Sequence, residues 1–234
     1  MPCQLTAVTY EARDPARVAA FWAGLLDRVA IDDRRGVLLP GSEHQIGLRF
    51  VDSRNVKVGR DPVHLHLTST TADDQRRTVE KALGLGASHL DVGQLPEEGH
   101  VVLADPEGNE LCVIEPGEGF LLGCGFLGEV TCVGSREVGF FWAEALGWPL
   151  VWDEGLQTAI QSPAGGTKVS WDGPVVANER GRNRERFELA LLDAELDDEV
   201  ARLVALGAAR LDADDSEVSL ADPDGNVFSL GIRR

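Results

Sequence analysis

Two histidines occupy alternate positions of a short segment that has the composition of a β-strand. In residues 63–67 (VHLHL), successive side chains of an extended strand point to opposite faces, so His64 and His66 share one face and the aliphatic residues share the other. Two imidazoles on one face can ligate a metal, exchange protons with a substrate, or line a polar surface without a catalytic role. The residues alone leave these three interpretations open.

Further candidate residues lie in the second half of the chain. In residues 187–191 (FELAL), Glu188 is placed on the face opposite the aliphatic side chains, where it would bind a cation or face solvent. Trp148 and Trp152 border a strand-like segment, where they would form an aromatic wall for a ligand or pack in the core. A phosphate-binding loop, a dinucleotide fingerprint, a nucleophile elbow and an EF-hand are all absent from the sequence.

Composition narrows the class of partner. The 234 residues include 39 acidic and 22 basic side chains, for a net charge of -17, which disfavours a phosphate backbone as partner. No apolar run approaches the roughly 20 residues that cross a bilayer, and the first residues do not read as a secretory signal. The four cysteines show no C-x-x-C spacing. We therefore expect a cytoplasmic protein without nucleic-acid or membrane partners.

The elements that must position these residues occur twice. Asp105-Pro-Glu-Gly-Asn recurs at Asp222 as Asp-Pro-Asp-Gly-Asn, Leu-Gly-Ala occurs at residues 85–87 and 206–208, and Phe-Trp-Ala at residues 21–23 and 141–143. Three motifs in the same order, at an offset of about 120 residues, indicate a duplicated domain rather than a solenoid. A Pro- and Gly-containing segment, 115–119, marks the boundary between the copies.

Each copy has the pattern of two βαβββ units. Alternating β-formers predict strands, an Asp-Pro pair predicts the start of the first helix, and glycines after Leu predict helix ends. The Asp-Pro-x-Gly-Asn motif predicts a hairpin turn, since Pro presets φ while Gly and Asn tolerate positive φ. Helices that follow strands without strict alternation favour an α+β fold.

These motifs resemble the glyoxalase/bleomycin-resistance/dioxygenase superfamily, also called vicinal oxygen chelate, and within it the glyoxalase-like branch. Its members often combine a Phe-Tyr or Phe-Trp helix, a helix that ends in Leu-Gly-Ala, and a terminal Asp-Pro-x-Gly-Asn hairpin, and both halves of this chain match. The resemblance covers nearly all of the chain. It implies two modules, residues 1–117 and 118–234, each with two βαβββ units that form a cup-shaped mixed sheet, where members bind metal, substrate or drug.

The resemblance also implies three ligand positions in metal-dependent members. They lie on the first strand, at the start of the strand that opens the second unit, and seven residues after the Asp of Asp-Pro. In the first half these positions fall on Ala7, on His64 or a neighbour, and on Cys112. Cys112 with a histidine would suit a softer metal, and a buried core cysteine is the alternative.

In the second half the same positions fall on Glu129, near Glu188, and on Ser229. Two carboxylates without a histidine would hold a hard cation weakly or receive a cationic ligand. Counted half by half, neither set is complete. We therefore expect no resident metal or other cofactor, with a divalent metal as the alternative.

The expected function is metal-independent binding of a small molecule in the cup, such as drug sequestration. The alternative is an enzyme of the lyase, dioxygenase or isomerase type that uses His64 and His66, with or without a divalent metal. The side chains expected to contact the ligand are Glu129, Glu188, Trp148, Trp152, Cys112 and Ser229. The chain is expected to be a monomer with internal pseudo-symmetry or a homodimer.

Overall fold

The computed structural model describes residues 3–55, 61–95, 97–173, 184–192, 194–213 and 217–232. Within them the order βαβββ occurs four times. Unit 1 consists of β1 (Cys3–Ala12), α1 (Pro15–Leu26), β2 (Ile31–Asp33), β3 (Gly36–Leu39) and β4 (Gly47–Asp52). Unit 2 consists of β5 (Val63–Leu67), α2 (Ala72–Gly84), β6 (Ser88–His89), β7 (Val101–Ala104) and β8 (Glu110–Val113).

A connection that includes a short 3-10 helix (Gly119–Leu121) leads into the second half. Unit 3 consists of β9 (Leu127–Val133), α3 (Arg136–Leu146), β10 (Leu150–Glu154), β11 (Gln157–Gln161) and β12 (Lys168–Asp172). Unit 4 consists of β13 (Glu185–Leu191), α4 (Leu196–Leu206), β14 (Ala209–Ala213), β15 (Glu217–Ala221) and β16 (Val227–Ile232).

The strands form two eight-stranded mixed sheets. Sheet I has the order β14-β15-β16-β13-β1-β4-β3-β2, and sheet II has the order β10-β11-β12-β9-β5-β8-β7-β6. The α+β fold with paired βαβββ units is confirmed. The expected pairing of units within one half is wrong, because sheet I joins units 1 and 4 while sheet II joins units 2 and 3. The central strands pair antiparallel, β1 with β13 and β5 with β9, so each half contributes one unit to each cup.

The start of α1 and the end of α3 lie where the sequence predicts, whereas α3 begins two residues before the predicted Val138. The side chain of Asp14 accepts a hydrogen bond from the backbone N–H of Arg17 at 3.0 Å, and Pro15 occupies the first turn of α1, where its missing N–H costs nothing. Helix α3 ends at Gly147, whose φ of 60° lies in the left-handed region that glycine adopts without steric penalty.

In each half, a hydrogen bond joins the Phe-Trp-Ala motif to the Asp-Pro-x-Gly-Asn motif. The indole Nε1 of Trp22 donates to Oδ2 of Asp105 at 3.0 Å, and that of Trp142 donates to Oδ2 of Asp222 at 3.2 Å. The side-chain amide of Asn109 donates to the same Asp105 oxygen at 2.8 Å. Asn109 is therefore a donor to the turn carboxylate, and only the glycine of the motif takes positive φ.

One face of each sheet packs into a common apolar core. Residues of sheet I such as Val8, residues of sheet II such as Leu65 and Val130, and the indoles of α1 and α3 belong to one buried cluster. The opposite face of each sheet carries polar side chains, and we call this face the cup. Among the described helices none is long and apolar enough to span a bilayer.

Candidate functional site

The cup of sheet II brings together four of the predicted site residues, His64, His66, Cys112 and Glu129. His66 on β5 lies opposite Glu129 on the antiparallel strand β9, and beside Cys112 on the parallel strand β8. Nδ1 of His66 lies 2.6 Å from Oε2 of Glu129. Because β5 and β8 belong to the first half and β9 to the second, this arrangement exists only through the pairing of units across the halves.

Ser170 and His64 complete this cluster. The hydroxyl of Ser170, on β12, donates to Oε1 of Glu129. The ring of His64 lies 5.0 Å from that of His66, centroid to centroid. Cys112 and Glu129 are buried, whereas both histidines remain partly exposed, with 19% of the His66 side chain accessible. We call these five residues the histidine cup.

Burial and pairing give the two histidines opposite protonation behaviour. Burial lowers the pKa of His66, but contacts with Cys112 and Glu129 outweigh it and raise the pKa to about 10. Burial, assisted by the neighbouring His66, lowers the pKa of His64 to about 3. Burial also opposes ionisation of Glu129, yet hydrogen bonds from His66 and Ser170 keep its pKa below the usual range. The cup thus holds an imidazolium–carboxylate pair beside a neutral imidazole.

The donor atoms in this cup fit a divalent metal of the zinc class. The potential ligand atoms of His64, His66 and Cys112 all lie within 4.8 Å of one another. Ligand atoms around a tetrahedral zinc are about 3.5 Å apart, so small side-chain rotations would close the set. Contact of Nδ1 of His66 with Glu129 leaves Nε2 for the metal, the arrangement in which a carboxylate orients a ligating histidine. All three donors belong to unit 2, and the pairing of units across the halves adds the carboxylate of Glu129 beside them.

A wall of the histidine cup is formed by aromatic and basic side chains. Phe120, from the connection between the halves, contacts the ring of Trp152 edge to face at a centroid distance of 5.5 Å. The ammonium of Lys168 lies 4.3 Å from the centroid of the Phe120 ring and donates to the Phe120 carbonyl. Trp152 lies on the same face of sheet II as Ser170, two strands away, and its role as a ligand contact stays a prediction.

The cup of sheet I has the same architecture with different residues. Glu188 lies opposite Ala7 and beside Ser229, as His66 lies opposite Glu129 and beside Cys112. This comparison sets the register of residues 187–191 against 63–67, which the sequence left undetermined, and aligns Glu188 with His66 rather than with His64.

An arginine occupies the middle of the sheet I cup. Nε of Arg49 donates to Oε2 of Glu188 at 2.7 Å, and Nη1 donates to Asp33 at 2.8 Å. Arg35 binds the other Glu188 oxygen at 3.0 Å. The guanidinium of Arg49 is buried, at 5% exposure, so it supplies the positive charge that a cation would otherwise bring. We call Ala7, Arg49, Glu188 and Ser229 the arginine cup.

The expected grouping of Glu129 with Glu188 and Ser229 in one cup is wrong. Glu129 lies in sheet II, while Glu188 and Ser229 lie in sheet I, because units 3 and 4 do not share a sheet. Glu188 already has two arginine partners. Trp148 packs at the edge of the core and lines a cavity of about 170 Å³ whose lining includes no histidine-cup residue.

Sequence reasoning missed Arg49, Ser170 and Lys168. Arg49 is the one charged residue within the otherwise apolar run 46–51, which was the available signal. Ser170 occupies the position in β12 that Arg49 occupies in β4. Arg49 pairs with the residue of β1 two positions after Ala7, and Ser170 pairs with the residue of β9 two positions after Glu129. Ala7 and Glu129 are themselves equivalent positions of the two cups. That equivalence emerges only from the register of the strands.

Comparisons with known proteins agree with this architecture. A family model described as a glyoxalase-like domain matches residues 7–114 and again residues 129–231. Glyoxalase I from Zea mays aligns with a TM-score of 0.66 and 14% identity, over 98% of this chain and 92% of that chain. A putative dioxygenase from Bacillus subtilis aligns with a TM-score of 0.60 and 16% identity, over 97% and 84%. No curated protein matches the chain.

The structural likenesses, at such low identity, establish the fold, and the two matches to the family model span most of the sequence. Together with the four βαβββ units, they place both halves in one family. The chain belongs to the glyoxalase-like domain family, within the vicinal oxygen chelate superfamily.

Proposed function

We propose that this chain is an enzyme of the lyase or isomerase type that moves a proton of a small molecule in the histidine cup. His64, His66 and Cys112 would hold one divalent transition metal there. The observation that carries the proposal is the convergence of these three donors with Glu129 on one sheet face. A set of two imidazoles and a thiolate leaves a fourth tetrahedral position for a substrate oxygen.

A metal bound there would act as a Lewis acid on a substrate oxygen. The chain's own residues supply the rest. Glu129, ionised and held by the hydroxyl of Ser170, orients His66 and is the base that accepts a substrate proton. His64 stays neutral near pH 7, since its pKa is lowered to about 3, and a neutral imidazole is the form that ligates.

Metal-independent binding of a small molecule, including drug sequestration, is the second candidate function. The aromatic pair Phe120 and Trp152 favours it, because flat side chains in a cup provide a stacking surface without any metal. Both oxygens of Glu129 also have protein partners, so the carboxylate is satisfied without a cation. For either candidate function we propose a cytoplasmic location, since all four cysteines are free thiols.

Metal content and cobalt spectroscopy test the first candidate. Protein purified without chelator should contain about one transition-metal ion per chain by elemental analysis, and replacement by Co²⁺ should produce the near-ultraviolet charge-transfer band of a thiolate–cobalt bond. Cys112→Ser should abolish the band, and His66→Gln should weaken cobalt binding.

Ser229→Cys is the matched control for the cysteine. It places a thiol at the equivalent position of the arginine cup, where the neighbours are Glu188 and Ala7 instead of His66 and Glu129. This variant should keep one cobalt and one band. Wild-type protein that contains no metal, shows no band and gains no thermal stability from Zn²⁺ or Co²⁺ would contradict the first candidate and leave metal-independent binding.

A further inference from the structure

We infer that Lys168 and Trp152 form a subsite for a carboxylate group, so that the histidine cup takes aromatic or apolar organic acids. The inference rests on the proposed function in one respect, since it names the substrate class of the same cup. The subsite itself is built from unit 3 and the connection between the halves, and it requires no metal.

The register of unit 3 places both side chains in the cup. Lys168 lies beside Glu129 across the parallel pair β12 and β9. Ser170, two residues along β12, lies opposite Ala159, which lies opposite Trp152. Because laterally paired residues share a face of a sheet, Lys168 and Trp152 are on the same face as Glu129 and Ser170.

Lys168 is a cation without an acidic partner among the described residues. Its ammonium carries three donors, of which the described contacts use one, to the carbonyl of Phe120. In a chain with 39 acidic and 22 basic side chains, a half-buried lysine would ordinarily be paired with a carboxylate. The two unused donors are therefore available to an anionic ligand.

Trp152 offers a second donor on the same face of the sheet. Its indole Nε1 is buried and has no hydrogen-bond partner among the described residues, whereas Trp22 and Trp142 each donate to an aspartate. A buried indole N–H normally finds an acceptor. Both the ammonium of Lys168 and the indole of Trp152 contact the ring of Phe120, so the two donors border one aromatic surface.

The charge of the cup agrees with a negatively charged ligand. Glu129, which lies beside Lys168 in the strand pairing, is already engaged by His66 at 2.6 Å and by the hydroxyl of Ser170. On the wall formed by Phe120, Trp152 and Lys168, the positive charge of Lys168 has no acidic partner among the described residues. A carboxylate with an attached ring would accept hydrogen bonds from Lys168 and Trp152 and pack its ring against Phe120.

Calorimetric titration with 2-naphthoate and with its neutral isostere 2-naphthamide tests the inference. Both chelator-treated and zinc-loaded protein should bind the acid more tightly than the amide. Lys168→Met should weaken binding of the acid about tenfold, as expected for loss of one charge-assisted hydrogen bond, and leave the amide unchanged. Trp152→Phe should weaken the acid while the aromatic packing is kept.

Two variants separate a specific role from a general one. Lys81→Met removes the same charge from the exposed surface of α2 and should leave both affinities unchanged. Lys168→Arg should preserve the preference for the acid.

Three results would overturn the subsite: binding of neither probe, equal loss of acid and amide in Lys168→Met, or a preference for the acid that survives this substitution. A preference that survives and occurs only in zinc-loaded protein would assign the carboxylate to the metal, so the proposed function would stand while the subsite fell.

Discussion

Removal of the Arg49 side-chain charge should strongly destabilise the fold, although Arg49 lies outside the histidine cup. Arg49 and Glu188 are 5% and 9% exposed, and their contacts measure 2.7 and 3.4 Å. Loss of one partner of a buried ion pair costs about 3–5 kcal/mol, because the other charge is left uncompensated. Arg35 still reaches Glu188 at 3.0 Å, so we expect the lower end, about 3 kcal/mol, for Arg49→Met.

Urea denaturation measures this loss. With a slope of about 2–3 kcal/mol/M, a loss of about 3 kcal/mol lowers the midpoint by about 1 M urea at an unchanged slope. Arg35→Met is the matched control, because Arg35 binds the same carboxylate but is 43% exposed. Its removal should cost at most about 1 kcal/mol.

The double variant Arg49→Met with Glu188→Leu completes a thermodynamic cycle. Replacement of both charges by apolar groups of similar size should recover most of the loss, since no charge is left buried. Equal midpoints for Arg49→Met and wild type, or equal losses for Arg49→Met and Arg35→Met, would refute the view that the arginine cup is closed by a buried ion pair.

Three further predictions concern the hydrogen bond between Trp22 and Asp105 and the pH dependence of stability that His66 and His64 cause. Trp22→Phe should lower the free energy of unfolding by about 1.5–3 kcal/mol, because it removes the indole donor from the buried Asp105 carboxylate, which then keeps only the donors of its own turn. Urea denaturation beside Trp142→Phe would show whether the two halves lose the same stability. His66 has a folded pKa of about 10, above its unfolded value, so in metal-free protein the stability it contributes is complete below about pH 6.5 and is lost as the pH rises towards 10. The free energy of unfolding of His66→Gln should therefore vary less with pH between 7 and 10 than that of the wild type. The same pH dependence in both proteins would contradict the pairing of His66 with Glu129. His64 has a folded pKa of about 3, so the stability it contributes has the opposite pH dependence: it is present above about pH 6.5 and is lost as the pH falls towards 3. In metal-free protein, His64→Gln should therefore lose less free energy of unfolding on acidification than the wild type. An equal loss in both proteins would count against the burial of His64 as the neutral form.

Local patterns predicted the elements well because their causes are local. The Asp14-Pro15 helix start and the Gly147 helix end depend on residues within one turn of chain. The alternation in residues 63–67 likewise fixed the shared face of His64 and His66, and their rings indeed lie 5.0 Å apart. The role of Asn109 was missed, since its amide donates to a carboxylate four residues earlier, a contact that a backbone preference does not reveal.

The identity of each cup was beyond the reach of the sequence. An alternating strand satisfies its backbone hydrogen bonds with any partner of suitable register, so the pattern of β5 does not distinguish β9 from another strand. The expectation that units pair within a half therefore separated Glu129 from His66 and Cys112, and grouped it with Glu188 and Ser229. The same error hid Arg49, whose significance depends on the distant Glu188.

By itself the sequence determined the duplication, the family, the order of the elements and the residues with chemical capacity, because these follow from spacing and side-chain type. Only the tertiary structure decided that His66, Cys112 and Glu129 meet in one cup while Arg49 closes the other. The physical reason is that sheet pairing joins residues far apart in the chain, 63 positions for His66 and Glu129 and 139 for Arg49 and Glu188, and contacts of that range leave no local signature.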